Sequence, residues 1–252
     1  MREHLKILFI GESCIVHTTE YKGTDNFSST RYNESAVIMK KIIEERGHEI
    51  KHVPCHRVHL DFPETMEELK KYDIVIISDV GASTILLHPD TARFCKRTTN
   101  KLKLIAQFVE EGGAFMMVGG YMSFTGIDGK AKYKGTIIEK ILPVELESYD
   151  DRVEVPEGAE LCIEEKNHSI LEGLPKRWPY ILGYNKTRAK EKSEIILKYE
   201  DDPIIALGEY GNGRTVAYTT DCAPHWAPPE MYEWEYYGVL WDRIFQWLVK
   251  EI

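Results

Sequence analysis

The sequence predicts a doubly wound α/β fold with a mostly parallel sheet. In the first half of the chain, short apolar runs alternate with segments whose apolar residues recur at helical spacing. Residues 74–77 form a continuous apolar run, which is typical of a strand buried on both faces. The 252 residues are enough for one large core. We therefore expect a single domain over residues 1–252.

The apolar runs predict four parallel strands near residues 6–10, 49–53, 74–78 and 114–118. A polar stretch after the first strand is interpreted as a long loop. Asn33 is the predicted N-cap of the next helix, which Gly47 ends. A second helix is predicted from Asn100 to Glu111, because apolar residues recur on one face and two glycines follow.

The pattern changes near residue 128, where prolines separate short strands without a long helix between them. We interpret residues 128–190 as an insertion or rim. Three later runs, at 194–199, 203–210 and 214–219, predict an antiparallel meander with a glycine-rich hairpin. Residues 237–249 then predict an amphipathic terminal helix.

Composition excludes several classes of partner. The formal charge of -9 and the pI near 5.6 argue against nucleic acid, whose phosphates are neutralised by Lys and Arg. No apolar run approaches the ~20 residues that cross a bilayer, so no membrane partner is expected. The N-terminus lacks the features of a signal peptide, and five scattered cysteines without a CxxC pair suggest reduced thiols. We predict a cytoplasmic protein without a cofactor or metal.

Four stretches of the chain resemble a known family. Residues 73–78 resemble the strand before an oxyanion loop, and residues 108–120 resemble the helix and strand before a nucleophile turn. Residues 167–175 and 208–226 match further motifs of ThuA-like relatives. The chain thus resembles the class I glutamine amidotransferase-like superfamily, in particular the putative glutamine amidotransferase-like proteins once filed as a domain of unknown function. This resemblance implies a flavodoxin-like sheet with a parallel core and an antiparallel extension.

The nucleophile turn departs from that family. Active amidotransferases carry Gly-x-Cys-x-Gly there, which places a thiolate at a helix N-terminus. This chain reads Val-Gly-Gly-Tyr-Met-Ser-Phe over residues 118–124, with glycine or tyrosine where the sulfur would be. The usual glutaminase mechanism is therefore unavailable.

Ligands of open α/β sheets bind beyond the carboxyl ends of the strands, so polar residues just after each strand are the candidates. His225 is favoured because it follows the meander, and Pro224 restricts the backbone before it. The resemblance implies that a late histidine serves as a base. The predicted catalytic residues are Glu12, Asp79, Tyr121 and His225. The predicted ligand-binding residues are His17, Gly119, Gly120, Ser123, Asp221 and Trp226.

Other interpretations of these residues stay open. The two glycines with Ser123 suit either an anion cradle or a tight turn. A cysteine could act as nucleophile from a non-standard strand, the candidates being Cys14, Cys55 and Cys222. A metal site is disfavoured, because Pro54 breaks the helix that would align its ligands. Those ligands would be His52, His56, His59 and Asp61.

An aromatic and acidic run over residues 226–237 could stack on a sugar or form a subunit interface, and we favour the interface and hence a homo-oligomer. The leading hypothesis is a protein without glutaminase activity that binds or hydrolyses a small polar metabolite or carbohydrate. The alternatives are a cysteine-dependent amidohydrolase and a non-catalytic assembly module.

Overall fold

The computed structural model describes residues 4–164 and 167–252. Residues 1–3, part of the segment used for the signal-peptide prediction, and residues 165–166 of the predicted rim lie outside the described residues. The strands are β1 Lys6–Gly11, β2 Cys14–Lys22, β3 Asp25–Asn33, β4 Glu49–Val53, β5 Ile74–Ser78, β6 Ala114–Val118, β7 Val144–Leu146, β8 Arg152–Ala159, β9 Cys162–Ile163, β10 Ile181–Asn185, β11 Thr187–Ala189, β12 Glu194–Tyr199, β13 Asp202–Tyr210 and β14 Gly213–Tyr218.

The chain also forms α-helices and short 3-10 turns. The 3-10 turns are Cys55–Arg57, Ile127–Gly129 and Ser169–Leu171. The α-helices are α1 Val37–Glu45, α2 Val58–Asp61, α3 Met66–Leu69, α4 Ala82–Leu86, α5 Pro89–Phe94, α6 Lys101–Glu110, α7 Ile137–Ile141, α8 Pro229–Tyr232 and α9 Tyr237–Leu248. None of the helices in the described part of the chain is long and apolar enough to cross a membrane.

The central sheet has eight strands in the order β4-β1-β5-β6-β14-β13-β12-β9. Strands β4, β1, β5 and β6 run parallel, and β14 pairs in parallel with β6. The last three strands add antiparallel pairings. This arrangement confirms the predicted α/β class, the four parallel strands and the meander.

Strands β1, β5 and β6 are buried on both faces, because their side chains alternate between two hydrophobic clusters. Ile7 and Phe9 pack on the side that carries α1 and α9. Leu8 and Ile10 pack on the opposite side, which carries α6. Helix α6 lies where the sequence predicts it, and Asn100 caps it by accepting a hydrogen bond from the Lys103 amide.

The prediction of a long loop after the first strand is wrong, because the chain forms a β-hairpin there. Strands β2 and β3 pair along all nine residues of each strand. Gly23 turns the chain between them with a φ of 72°. As a result, Asn33 is the last residue of β3 rather than a helix N-cap, and α1 begins at Val37. The β-branched and aromatic residues on both sides of Gly23 are the sequence feature that indicates a hairpin here.

Residues 128–190, the predicted rim, contain short strands, and the part formed by β8 and β10 reaches the carboxyl end of the central sheet. Two small antiparallel sheets form within this rim, one from β8 and β10 and one from β7 and β11. The backbone amide of Asn185 donates to the Thr219 carbonyl, which ties the rim to the segment after β14. The rim thereby brings its side chains next to the strand ends.

Two aromatic residues of the run 226–237 are not available for the predicted interface, which stays a prediction for the rest of the run. Trp226 and Tyr237 are fully buried inside the chain. Trp234 is partly buried, and its ring packs 5.4 Å from that of Trp178. These aromatic side chains contribute apolar burial to the chain's own core.

Candidate functional site

Three acidic residues meet where β1, β5 and β14 end. Glu12 and Asp79 directly follow β1 and β5, and Asp221 follows β14 after two threonines. Glu12 and Asp79 adopt left-handed backbone conformations, with φ of 62° and 44°. Such conformations cost energy for residues other than glycine and are often found at functional sites. The amide of Glu12 donates to the Ser78 carbonyl at 2.8 Å, which holds the two strand ends together.

The Glu12 carboxylate is the centre of this group. It accepts a 2.6 Å hydrogen bond from the Ser78 hydroxyl, and the Cys222 thiol lies 3.8 Å from the same oxygen. Glu12 is only 6% exposed and Asp221 only 5%. We call Glu12, Asp79 and Asp221 the carboxyl cluster.

Burial of the carboxyl cluster favours its protonated forms. Burial, followed by the nearby charge of Asp79, raises the pKa of Glu12 to about 7. Burial, then repulsion from the other two carboxylates, raises the pKa of Asp221 well above its usual range. Burial also raises the pKa of Asp79, although the Met122 amide and His225 oppose this shift. The cluster therefore retains protons at neutral pH.

The turn after β6, residues 119–124, uses its polar groups within the chain. The Gly119 amide donates to the carbonyls of Tyr218 and Thr220, and the Gly120 amide donates to the Asn185 side chain at 2.9 Å. The Ser123 hydroxyl donates to the Val118 carbonyl. These groups hold the turn in place, as the tight-turn interpretation expects.

One donor of the turn binds the carboxyl cluster. The Met122 amide donates to Asp79 Oδ1 at 2.6 Å, while the Asp79 amide donates to Ser123 Oγ at 3.0 Å. The chain's own carboxylate thus occupies the position that an anion would take at this turn. A ligand role for Gly119, Gly120 and Ser123 stays a prediction, and it requires Asp79 to give up this contact.

The two glycines of the turn have no room for a cysteine side chain. A Cβ at Gly119 would come within 2.1 Å of the Thr219 carbonyl oxygen. A Cβ at Gly120, where φ is 147°, would lie 2.8 Å from Asp79 Oδ1. Of the positions named for the sulfur, Tyr121 is therefore the one that accommodates a side chain.

A second layer from the rim supports the turn. Asp151 is buried and accepts hydrogen bonds from the amides of Thr125 and Gly126 and from Asn185 Nδ2, at 2.8 to 2.9 Å. Asn185 in turn accepts from the Gly120 amide. Neither residue was predicted, because nothing in their sequence spacing relates residues 151 and 185 to residue 120.

Aromatic and charged side chains flank the carboxyl cluster. The Tyr121 ring lies 4.4 Å from the His225 ring and 5.8 Å from the Trp226 ring, measured between centroids. Glu154 accepts hydrogen bonds from the Tyr121 hydroxyl at 2.9 Å and from the Trp226 indole at 3.0 Å. The Arg152 guanidinium stacks 4.4 Å above Tyr121. We call Tyr121, His225 and Trp226 the aromatic wall.

His225 combines exposure with strain. Its side chain is 40% exposed and lies 3.8 Å from Glu154, and its φ of 147° is unusual for a residue with a side chain. It is therefore not enclosed by the tryptophans. His17, in contrast, lies on the exposed β2–β3 hairpin, where its ring bonds Thr30 at 2.9 Å. His17 is therefore placed outside the carboxyl cluster.

The cysteines do not provide an activated thiol. Burial raises the pKa of Cys14, Cys55 and Cys222, and neighbouring carboxylates raise each of them further. The reactive form of cysteine is the thiolate. The environment of these thiols disfavours it.

The proposed histidine metal ligands do not converge. The His52 ring bonds the Gly11 carbonyl at 3.0 Å, and the His56 ring packs against Tyr32. Within residues 4–164 and 167–252, one group has ligand-type atoms within 4.8 Å of one another, namely Glu12, Asp221 and Cys222. These three belong to or contact the carboxyl cluster, and we assign no metal to them.

A cavity of about 710 Å³ lies at the other end of β14, away from these residues. Two basic side chains that line this cavity donate hydrogen bonds to backbone carbonyls of the chain. Lys190 donates to the carbonyls of Glu139 and Leu142, and Arg214 donates to that of Trp247. We therefore base the candidate site on the carboxyl cluster rather than on cavity size.

Comparison with known proteins identifies the family of the chain. Residues 6–250 match the family described as putative glutamine amidotransferase. The chain belongs to this family. No curated protein matches it.

Two solved structures are similar to this protein over almost the whole chain. The cytoplasmic protein STM3548 from Salmonella typhimurium is 38% identical with a TM-score of 0.94, and 97% of this chain covers 99% of that one. The cytoplasmic protein STM1381 from Salmonella typhimurium LT2 is 39% identical with a TM-score of 0.93 and the same coverage. A ThuA-like protein from Parabacteroides merdae is 14% identical with a TM-score of 0.59, over 98% of this chain and 90% of that one. The predicted resemblance is confirmed.

Proposed function

We propose that this putative glutamine amidotransferase has no glutaminase activity and instead binds, and hydrolyses, a small polar metabolite or carbohydrate at the carboxyl edge of its sheet. The observation that carries this proposal is the buried carboxyl cluster, in which burial and then the charge of Asp79 raise the pKa of Glu12 to about 7. A carboxyl group poised near neutral pH suits general acid–base chemistry. A purely structural acid would more commonly be ion-paired.

The cluster and the aromatic wall supply complementary functions. In its protonated form, Glu12 can donate a proton to a leaving group, and ionised Asp79 can take a proton from an attacking water. Water then adds across the bond that breaks, and the proton taken from it replaces the one lost from the cluster. Tyr121 and His225 are the partly exposed members of the aromatic wall, and their rings suit the apolar face of a sugar. Trp226 is fully buried, so its predicted contact with a ligand is replaced by a hydrogen bond from its indole to Glu154. His225 and Glu154 add polar contacts beside these rings.

Ligand binding is the first test. Melting temperatures would be measured with panels of neutral sugars, sugar acids and small polar metabolites at pH 6 and pH 8. We expect at least one class to stabilise the protein, since a ligand that binds only the folded state raises its stability. Failure of every class to bind would overturn the proposal.

Variants then locate the site. His225→Asn should weaken the binding of that ligand about tenfold or more, because it removes an imidazole from the aromatic wall. The melting temperature without ligand should hardly change, since His225 is exposed. Glu45→Gln on the exposed face of α1 is the matched control. Equal affinity of the His225→Asn variant and the wild type would show that the ligand does not bind at the aromatic wall.

Hydrolysis is tested separately from binding. If the bound compound is cleaved, Glu12→Gln should reduce the rate by at least about a hundredfold, as expected for loss of a general acid. Glutamine should not be hydrolysed, and iodoacetamide should leave the cleavage unaffected. Inactivation by iodoacetamide would instead support the cysteine-dependent amidohydrolase. A cytoplasmic location, which the names of both Salmonella proteins carry, is part of this proposal.

A further inference from the structure

The β2–β3 hairpin, residues 14–33, projects from the body of the protein as an arm. Every residue of β3 is exposed, as are all but two of β2. The arm nevertheless carries large apolar side chains, with Tyr21 at 75% exposure, Ile15 at 54% and Phe27 at 51%. Contacts with the body are concentrated at its base, where the Tyr32 ring packs on His56.

The arm leaves backbone hydrogen-bonding groups unpaired and apolar side chains in contact with water. An isolated two-stranded hairpin is marginally stable in water, and both of its edges expose unpaired backbone groups. Nine-residue strands make an arm about 30 Å long. Pairing one edge with another strand would satisfy the backbone groups and cover the apolar side chains. The exposed side chains and the unpaired strand edge of the arm therefore indicate a protein-binding surface.

We propose that the partner is a second copy of this chain, bound by antiparallel pairing of β3 with β3 about a two-fold axis through Ser28. Such an interface uses the same surface on both copies. The two hairpins would form one four-stranded sheet between the subunits. The proposal is independent of the proposed ligand site.

Charge complementarity supports this register. Pairing about Ser28 places Asp25 opposite Arg31 of the second copy, and it does so twice because the axis is two-fold. In the described part of the chain, neither Asp25 nor Arg31 forms an ion pair. Opposite charges in directly facing strand positions stabilise a sheet, and like charges destabilise it.

The remaining pairs also favour β3. Asn26 faces Thr30, and Phe27 faces Ser29, so no like charges meet. Phe27 then lies diagonally across from its own copy, within reach of an aromatic contact. Strand β2 is less suited, because its charges, Glu20 and Lys22, already pair with each other at 3.1 Å. A register that paired them between copies would engage only the tip of the arm.

The test is a charge-swap experiment read by sedimentation equilibrium and light scattering. The wild type should form a dimer or a higher even-numbered assembly. Asp25→Arg opposes two pairs of like positive charges, and Arg31→Asp opposes two pairs of like negative charges. Each should weaken association about tenfold or more. The double variant D25R/R31D should recover association to within about threefold of the wild type.

Mixing the two single variants sharpens the test. One copy then carries two arginines and the other two aspartates, so the mixture should form heterodimers although neither variant associates well alone. Lys41→Glu and Glu45→Lys on α1 change the net charge equally and serve as controls. Circular dichroism should show the wild-type helix content in every variant, because the arm lies outside both hydrophobic clusters.

A monomeric wild type would overturn the proposal. Assembly that persists in both single variants would show that β3 pairing does not carry it. Dissociation of the single variants without rescue in the double variant or in the mixture would exclude the register about Ser28.

Discussion

The chemistry of the candidate site depends on single residues in unusual backbone conformations. Glu12, Asp79 and His225 all have positive φ and all follow strands of the central sheet. Such conformations persist where the surrounding structure compensates their cost. Here the compensation comes from hydrogen bonds such as those between Ser78 and Glu12 and between Met122 and Asp79.

The raised pKa of Glu12 predicts a dependence of stability on pH. The folded state holds the proton up to about pH 7, whereas the unfolded state releases it near 4.5. Glu12 protonation therefore stabilises the fold fully below pH 4.5, and this contribution is lost as the pH rises through about 7. Glu12→Gln cannot ionise, so it should become more stable than the wild type at high pH.

Urea denaturation at pH 5.5 and pH 8.5 measures this effect. Between these values, the free energy of unfolding of Glu12→Gln should gain on the wild type by on the order of 1–2 kcal/mol. Taking the difference between the two proteins cancels titrating groups that do not interact with Glu12, such as His52, whose pKa burial lowers. A difference that does not vary with pH would show that Glu12 ionises as it does in solvent.

Gly120 provides a second test at the scale of one residue. Gly120→Ala should lower the free energy of unfolding by about 3 kcal/mol, because the new Cβ meets Asp79 and the backbone is strained. Gly135→Ala is the matched control, since its φ of 74° is also positive but no atom lies within 4 Å of its Cβ. It should cost about 1 kcal/mol. Equal losses in urea denaturation would mean that Asp79 moves away freely.

At the scale of elements, the rim holds the turn after β6 through a buried network. Asp151→Ala would leave the amides of Thr125 and Gly126 and the Asn185 side chain without their acceptor. Unpaired buried groups are costly, so we expect a loss of about 3 kcal/mol and a melting temperature roughly 6–12 °C lower.

The neighbouring residue supplies the control for the network. Asp150 lies at the surface, where it pairs with Arg152 at 2.8 Å. Asp150→Ala should cost no more than about 1 kcal/mol, as is usual for exposed ion pairs. If calorimetry gives the same loss for both variants, the network around Asp151 does not support the turn.

At the scale of the whole molecule, the five thiols should differ in reactivity according to burial. Cys95 and Cys162 are exposed, whereas Cys222 is fully buried beside the carboxyl cluster. Iodoacetamide should modify the first two in the native protein and reach Cys222 after unfolding, because alkylation requires an accessible thiolate. Peptide mass spectrometry at successive times measures the order. Early modification of Cys222 would reopen a role for this thiol.

Local pattern was sufficient to predict the framework of the fold. Strands β1, β5 and β6 are mostly apolar runs, and two glycines follow α6, so each of these elements is specified by residues near one another in the chain. The edge of the sheet that bears Glu12, Asp79 and His225 followed from the strand ends. The lack of a nucleophilic cysteine was also evident from residues 118–124 alone.

The arrangement of groups at that edge was decided by tertiary structure. Asp151, Glu154 and Asn185 reach the turn from a rim that is distant in sequence, and no spacing pattern encodes such contacts. Burial, followed by the charge of Asp79, raises the pKa of Glu12, and both depend on the elements packed around the strand ends. The exposed arm was missed because its strands lack the apolar face that a core imposes on a sequence. Motifs therefore located the site, whereas long-range packing determined its chemistry.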